Sequence, residues 1–289
     1  MIPGRLIGLR GRITRPFWGM MGVWAVLCGA LASNHLRWGG EQLLTLALVL
    51  LLAELAWGSL WDLGAGVDWF RPLAEGWPPV RPASLRGLPY TQPGSPGGRS
   101  VRGFNRLVGW WRASFWPSAG PALLGVLAAS VLAAALTLLL PTRLGLLNAM
   151  LVALVGLGVA QRRRGKASLG GEALAQIGLG WLAGHLAFAE VSAPSSILAL
   201  AFAFAGWGSL RVCQGLGAGL WLLNGGLVVA VVVLAATRQP LAAGLVGFLL
   251  LGQVAVQPSL GHGADPERIA RRMWPWLMAA MLAAALALP

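Results

Sequence analysis

Charge is what this chain has least of. Only 11% of its 289 residues are Asp, Glu, Lys or Arg, against about 25% in an ordinary soluble domain. That shortfall excludes a water-soluble enzyme. Acids are scarcest, with nine Asp and Glu against 22 Lys and Arg, and Lys166 is the only lysine. Cysteine is nearly absent. Cys28 and Cys213 both sit at apolar positions, with no pair spacing and no Cys/His cluster. That excludes a disulfide framework and a Cys/His metal site. The 41 glycines and 18 prolines do not signal a disordered chain, because they are set among long Leu/Ala/Val runs.

What is abundant is apolar sequence. Hydrophobic residues make up 57% of the chain, and the mean hydropathy is +0.70. A membrane-spanning helix needs roughly 17–25 mostly apolar residues. Nine runs meet or approach that: Phe17–Ser33, Gln42–Trp61, Ser118–Leu140, Leu144–Ala160, Ala173–Phe188, Ser196–Leu210, Leu216–Ala236, Leu241–Gln257 and Met273–Leu288. The expected fold class is all-α, a polytopic membrane protein forming one domain over residues 1–289. No small-residue cleavage site follows the first run, so it reads as a span and not a signal peptide.

The net charge of +13 would suggest nucleic acid in a soluble protein. In a membrane protein it fixes orientation and attracts anionic lipid headgroups, and no nucleic-acid partner is expected. Nine spans place Arg5, Arg10, Arg12 and Arg15 on the same side as the arginines of residues 62–117, as Arg162–Arg164 and Lys166, as Arg211, and as Arg268, Arg271 and Arg272. Nineteen cations then fall on that side, and Arg37, Arg143 and Arg238 fall on the other. Basic loops stay in the cytoplasm. The expectation is a bacterial inner-membrane protein with its N-terminus inside and its C-terminus outside.

The longest connection, 62–117, is cytoplasmic in this topology. Its middle, Trp77–Gly98, reads as irregular chain. Over Arg99–Trp116, Val101, Phe104, Leu107, Val108, Trp111 and Phe115 recur at helical spacing between Arg102, Arg106 and Arg112. That pattern fits an amphipathic helix on the inner membrane surface, or a helix packed on the protein's own loops.

Ionisable groups inside the spans are few. Glu54 lies in the second span, where a carboxylate is costly and marks either function or a structural pair. His185, in the fifth, is either a satisfied core residue or a ligand for a pigment or haem. His35 and His262 fall in loops. Asn148, Gln176, Asn224 and Gln253 are candidates for interhelical hydrogen bonds.

The inner end of the second span reads Gly58-Ser-Leu-Trp-Asp62-Leu-Gly-Ala-Gly66-Val-Asp68-Trp-Phe-Arg71-Pro-Leu-Ala-Glu-Gly76. Here the chain resembles the UbiA-type intramembrane prenyltransferases. That family has nine spans, a cytoplasmic N-terminus, N-D-x-x-D-x-x-x-D after the second span, then R-P-L-x-x-G, and a second aspartate-rich motif after the sixth. The layout and Arg71-Pro-Leu-x-x-Gly76 carry the likeness. The resemblance implies Mg²⁺ held by two acidic clusters, which grip an isoprenoid diphosphate while its prenyl group passes to an aromatic or tetrapyrrole acceptor.

Departures from that pattern change the expectation. Gly58 and Ser59 stand at the family's Asn and first Asp, Asp62 at the second Asp, and Gly66 at the third. Asp68 is two residues out of register. The segment after the sixth span, 207–217, contains no acid and offers Arg211 instead. Mg²⁺ demands oxygen ligands, and arginine supplies none. The reading is an inactive relative that binds an isoprenoid lipid, a quinone or a (bacterio)chlorophyll-type pigment through Glu54, Asp62, Arg71, Arg211 or His185. It would serve as a subunit of a respiratory or photosynthetic membrane assembly. The alternative is an active Mg²⁺-dependent enzyme using Asp62, Asp68 and Arg71, with Glu54 adding an acid. On a regular helix Glu54 and Asp62 share a face, about 12 Å apart.

Overall fold

The computed structural model describes residues 21–37, 39–74, 95–166, 168–257 and 266–288. Arg5–Arg15, the start of the first run, most of Trp77–Gly98, Gly76 and His262 lie outside the described residues. Of the described residues, 84% are helical and none is in a strand. They form α1 (Met21–Ala32), α2 (Gly40–Gly64), α3 (Pro96–Leu139), α4 (Leu144–Arg163), α5 (169–186), α6 (Ala193–Cys213), α7 (Gly219–Ala236), α8 (Pro240–Val256) and α9 (Pro266–Ala287). A single helical turn, Arg71–Ala74, follows α2. Five of these, α2, α3, α4, α6 and α7, are long and apolar enough to cross a membrane. Met21–Ala32, Pro240–Val256 and Arg272–Ala287 are shorter apolar helices.

The helices also expose large apolar residues. Val131, Leu138, Leu146, Val152, Val232, Leu241, Phe248 and Leu251 face outward, giving an apolar exterior that water-soluble monomers avoid. Inside, two cores form. One joins α2, α3, α4 and α5 around Leu52, Ala56, Leu144 and Leu151. The other joins α1 and α5 to α6, α7, α8 and α9 around Trp181, Phe202, Leu223 and Leu277. Helices α1 and α5 contribute to both, so they form the wall between them.

Glycine makes that wall thin. A Cβ on Gly29 would lie 1.9 Å from Trp181 O, and one on Gly184 2.0 Å from Val26 O. The backbones of α1 and α5 therefore touch, as small residues permit in membrane bundles. Helices α6 and α7 meet in the same way, at Gly208, Gly219 and Gly226.

Interhelical polar clusters tie the bundle. Trp57 Nε1 donates to Asn148 Oδ1, and Asn148 Nδ2 donates to Thr137 Oγ1, joining α2, α4 and α3. Asn224 and Gln257 exchange reciprocal amide bonds of 3.2 and 2.8 Å between α7 and the end of α8. Gln253 adds a third at 3.4 Å.

The loop ends sort consistently. At one end, Arg143 after α3 meets Glu190 after α5 at 2.7 Å. At the other, Arg163 at the end of α4 lies 5.0 Å over the Phe70 ring, beyond α2. Left-handed Gly165 and Gly215 close α4 and α6. In both, a 6→1 bond follows, Lys166 N to Gln161 O and Leu216 N to Arg211 O.

Two features depart from the expectations. The amphipathic segment is not a separate helix, because α3 runs without a break from Pro96 to Leu139. At about 1.5 Å per residue its 44 residues span about 66 Å, twice the roughly 30 Å hydrocarbon core. In addition, α2, α3 and α5 each contain a π-turn, at Leu51–Trp57, Trp111–Phe115 and Leu174–Gly178. Residue periodicity does not reveal these.

Candidate functional site

Two of the π-turns look at one another. Ala53 and Trp57 from α2, and Ala175 and Gln176 from α5, line one small cavity with Gly22 of α1. Its volume is about 10 Å³, at the lower limit for one water molecule. A Cβ on Gly22 would sit 3.2 Å from Glu54 Oε2 and 4.0 Å from Gln176 O. Gly22 thus leaves room for the Glu54 carboxylate between α1 and α5. One turn toward the start of α5, Gln176 Nε2 donates to Glu172 Oε1 at 3.4 Å. Glu54 and the Gln176 backbone both approach Gly22, and Glu172 pairs with the Gln176 side chain. Glu172 has no place in the sequence reading, because it lies just before the fifth apolar run.

Below this cluster two tryptophans grip the start of α5. Trp61 lies where a Gly171 Cβ would be 2.6 Å away, and Trp207 where a Gly170 Cβ would be 3.2 Å away. The paired glycines let α2 and α6 close over the start of α5.

The other predicted residues lie apart from the cavity. Asp62 is exposed on the last turn of α2. Asp68 is exposed too. Its Oδ1 accepts from Phe70 N at 3.1 Å and Arg71 N at 3.2 Å, which caps the Arg71–Ala74 turn as an N-cap aspartate does. Trp110 Nε1 donates to Pro72 O at 2.9 Å, so the R-P-L turn is fixed from both sides. Arg71 is exposed. Arg211 ends α6, its Cζ 5.9 Å from the Trp207 ring centroid. Glu54 and Asp62 do not share surroundings. The π-turn between them winds more widely than an α-turn, so Glu54 points into the bundle while Asp62 faces out.

His185 is buried, and both ring nitrogens have partners. Nε2 lies 3.1 Å from Glu190 O, a carbonyl that can only accept, so Nε2 carries the proton. Nδ1 then accepts from Ser195 Oγ at 3.1 Å, and Ser195 Oγ accepts from Trp181 Nε1 at 3.0 Å. The chain of donors runs Trp181, Ser195, His185, Glu190, and pins α5 to α6. Coordination of a pigment or haem would require one of these bonds to break.

Among the described residues no three His, Cys, Asp or Glu side chains cluster closely enough to hold a metal ion. Chemically, the end of the bundle where α2, α4 and α6 finish offers cations, aromatic faces and exposed carboxylates, and the interior offers half-buried Glu54, Glu172 and Gln176.

The fold and these sites define the class, an all-α chain whose apolar helices point to an integral membrane protein. Comparison with protein-family models, curated proteins and solved structures gives no match for this chain.

Proposed function

We propose that this chain is a UbiA-like membrane protein of nine spans, with its N-terminus in the cytoplasm, that has lost prenyl-transfer chemistry. It binds an isoprenoid lipid, quinone or chlorophyll-type pigment as an accessory subunit of a respiratory or photosynthetic complex. The observation carrying this reading is the dispersal of the acids. Glu54 faces Gly22 inside the bundle, Asp68 is used to cap a turn, and Asp62 is exposed on the last turn of α2. Where the prenyltransferase pattern has its second set of aspartates, Arg211 lies over Trp207. A leaving diphosphate needs concentrated positive charge, which the family obtains from acid-bound metal. Acids in three separate environments supply no such clamp.

The first half of α3 supports the membrane seat. Phe104, Leu107 and Trp111 are exposed along one side, and Arg99, Arg102 and Arg106 along the other. At the junction with the span, Trp111 stacks on Phe115 at 4.4 Å, and Trp116 lies 6.2 Å from Trp111. Such an aromatic belt marks a membrane–water interface. A π-turn, Pro117 and Pro121 follow one another there, and these are the features at which helices bend. The amphipathic half therefore turns onto the inner leaflet, its arginines among anionic headgroups.

Purification in mild detergent tests the function. The absorption spectrum is recorded, and mass spectrometry identifies co-purifying subunits and extracted lipids. Stoichiometric partners with quinone or pigment support the reading. A lone, colourless protein that transfers a prenyl group with Mg²⁺, and loses that activity in Asp62→Asn and Asp68→Asn, overturns it in favour of an active enzyme.

A further inference from the structure

The lipid-facing side of α6 and α7 carries an apolar groove of about 390 Å³, within the roughly 300–1,000 Å³ range of small-ligand sites. Ala201, Gly225 and Gly226 form its floor, and Phe204 and Trp221 its walls. The floor is deep because the two backbones touch. A Cβ on Gly226 would lie 2.4 Å from Ala201 O. Gly225 beside it is open, and a Cβ there would meet nothing within 4 Å. Trp221 is 85% exposed and Phe204 49%, so neither ring is used in the core.

A cation lies beyond one end of the groove. Ile197, Ala201, Phe204 and Arg211 follow one another at intervals of four, three and seven residues along α6, which places them on one face. Phe204 lies 6.1 Å from Trp207, and Arg211 lies over Trp207 at 5.9 Å. Arg211 also closes against the first turn of α7, where a Gly219 Cβ would be 2.8 Å from Arg211 Cβ. From Ile197 to Arg211 the helix rises about 21 Å. One leaflet of hydrocarbon is roughly 15 Å deep, half of a 30 Å core. The apolar lining covers about 10 Å of that rise, from Ile197 to Phe204, and Arg211 lies about 10 Å beyond it on the same face, so a lipid chain held in the groove would bring its headgroup toward the cation. A transmembrane helix in the same groove would match its apolar part and leave Arg211 without a complement.

The structure assigns this groove to an anionic phospholipid of the inner leaflet, with its phosphate at Arg211 and one acyl chain over Gly225 between Phe204 and Trp221. The choice of the inner leaflet rests on the topology proposed above, and the lipid site itself does not depend on the loss of prenyl transfer or on an accessory role.

The test uses the full chain in nanodiscs of equal phosphatidylglycerol and phosphatidylcholine, released into the gas phase for native mass spectrometry. Wild type is expected to keep one phosphatidylglycerol at least fivefold more often than phosphatidylcholine. Arg211→Gln should keep both lipids equally. Gly225→Leu fills the open floor without a clash and should keep neither. Gly244→Leu, on α8 and equally open, should behave as wild type, which controls for folding. Retention that is the same in wild type, Arg211→Gln and Gly225→Leu overturns the assignment. So does equal retention of the two lipids by wild type. Tenfold preference for an added isoprenoid phosphate over phosphatidylglycerol, or a co-purifying protein displaced by Gly225→Leu, overturns the choice of occupant.

Discussion

Gly184→Ala should destabilise this protein more than any other single-methyl change in α5. The new Cβ would lie 2.0 Å from Val26 O and 2.8 Å from Ala30 N. Both are backbone atoms of α1, so no side chain can swing aside. An ordinary contact is 3.4 Å or more, and α1 must therefore move away by about 1.4 Å. A gap of 0.5–1 Å already forfeits about a quarter to a half of the contact energy along a packed surface, and overpacking typically costs about 1–3 kcal/mol. Replacing helical glycine by alanine returns about 0.5–1 kcal/mol. The net loss is about 2 kcal/mol, or roughly thirtyfold in the folding equilibrium. The assay is denaturant unfolding of the detergent-purified protein, followed by circular dichroism. Gly156→Ala on α4 is the control, because a Cβ there meets nothing within 4 Å, and it should be neutral or slightly stabilising. If Gly184→Ala is as stable as Gly156→Ala, the backbone contact between α1 and α5 is not there.

Further outcomes follow from the polar clusters and from α3. Ser195→Ala strands Trp181 Nε1 and His185 Nδ1 inside the bundle. At about 1–3 kcal/mol for each unsatisfied buried group, it should cost about 2 kcal/mol or more in the same unfolding assay. Asn148→Leu removes the bonds to Trp57 and Thr137. It should cost about 0.6–1.7 kcal/mol, the span measured for interhelical hydrogen bonds in membranes. Spin labels at Phe104→Cys and Arg106→Cys, in proteoliposomes containing anionic lipid, should separate the two sides of the α3 extension. The label at 104 should be relaxed by oxygen dissolved in the bilayer, and the label at 106 by a water-soluble nickel complex. Relaxation of both by nickel alone would mean that the extension projects into water.

How much was legible beforehand depends on what each feature leaves in the sequence. Apolar runs are long, uninterrupted and bounded by Arg, Pro or Gly, so the described helices coincide with the nine runs to within a few residues at most ends. The exceptions are informative. Helix α3 reaches back to Pro96 because Arg99, Arg102, Arg106 and Arg112 lower hydropathy without lowering helix propensity. A window that looks for a membrane span therefore stops at Ser118. Helix α5 starts at Leu169, ahead of the run at Ala173, because Gly170 and Gly171 are held by Trp207 and Trp61, contacts made by distant segments. The role of Asp68 as a cap was hidden by its nearness to a resembling motif. The partners of His185 come from Ser195 and the Glu190 backbone, within ten residues but across a turn whose geometry the sequence does not display.

The π-turns were the least legible elements, and their placement is the strongest structural argument for where the interior does its work. A π-turn gives up regular i→i−4 bonding and is uncommon for that reason. Leu51–Trp57 and Leu174–Gly178 are built of ordinary helix-forming residues, with no internal proline. Local propensity therefore does not impose them. Both line a small cavity beside Gly22; the second carries Gln176 into its lining, and the first carries Glu54 next to Gly22. Widening the turn lets Glu54 face α1 and α5 while Asp62, eight residues on, stays at the rim. Local irregularity that packing alone does not require tends to coincide with function. For Leu51–Trp57 and Leu174–Gly178 it coincides with Glu54, a carboxylate costly to place within a membrane, and with the glycine that makes room for it.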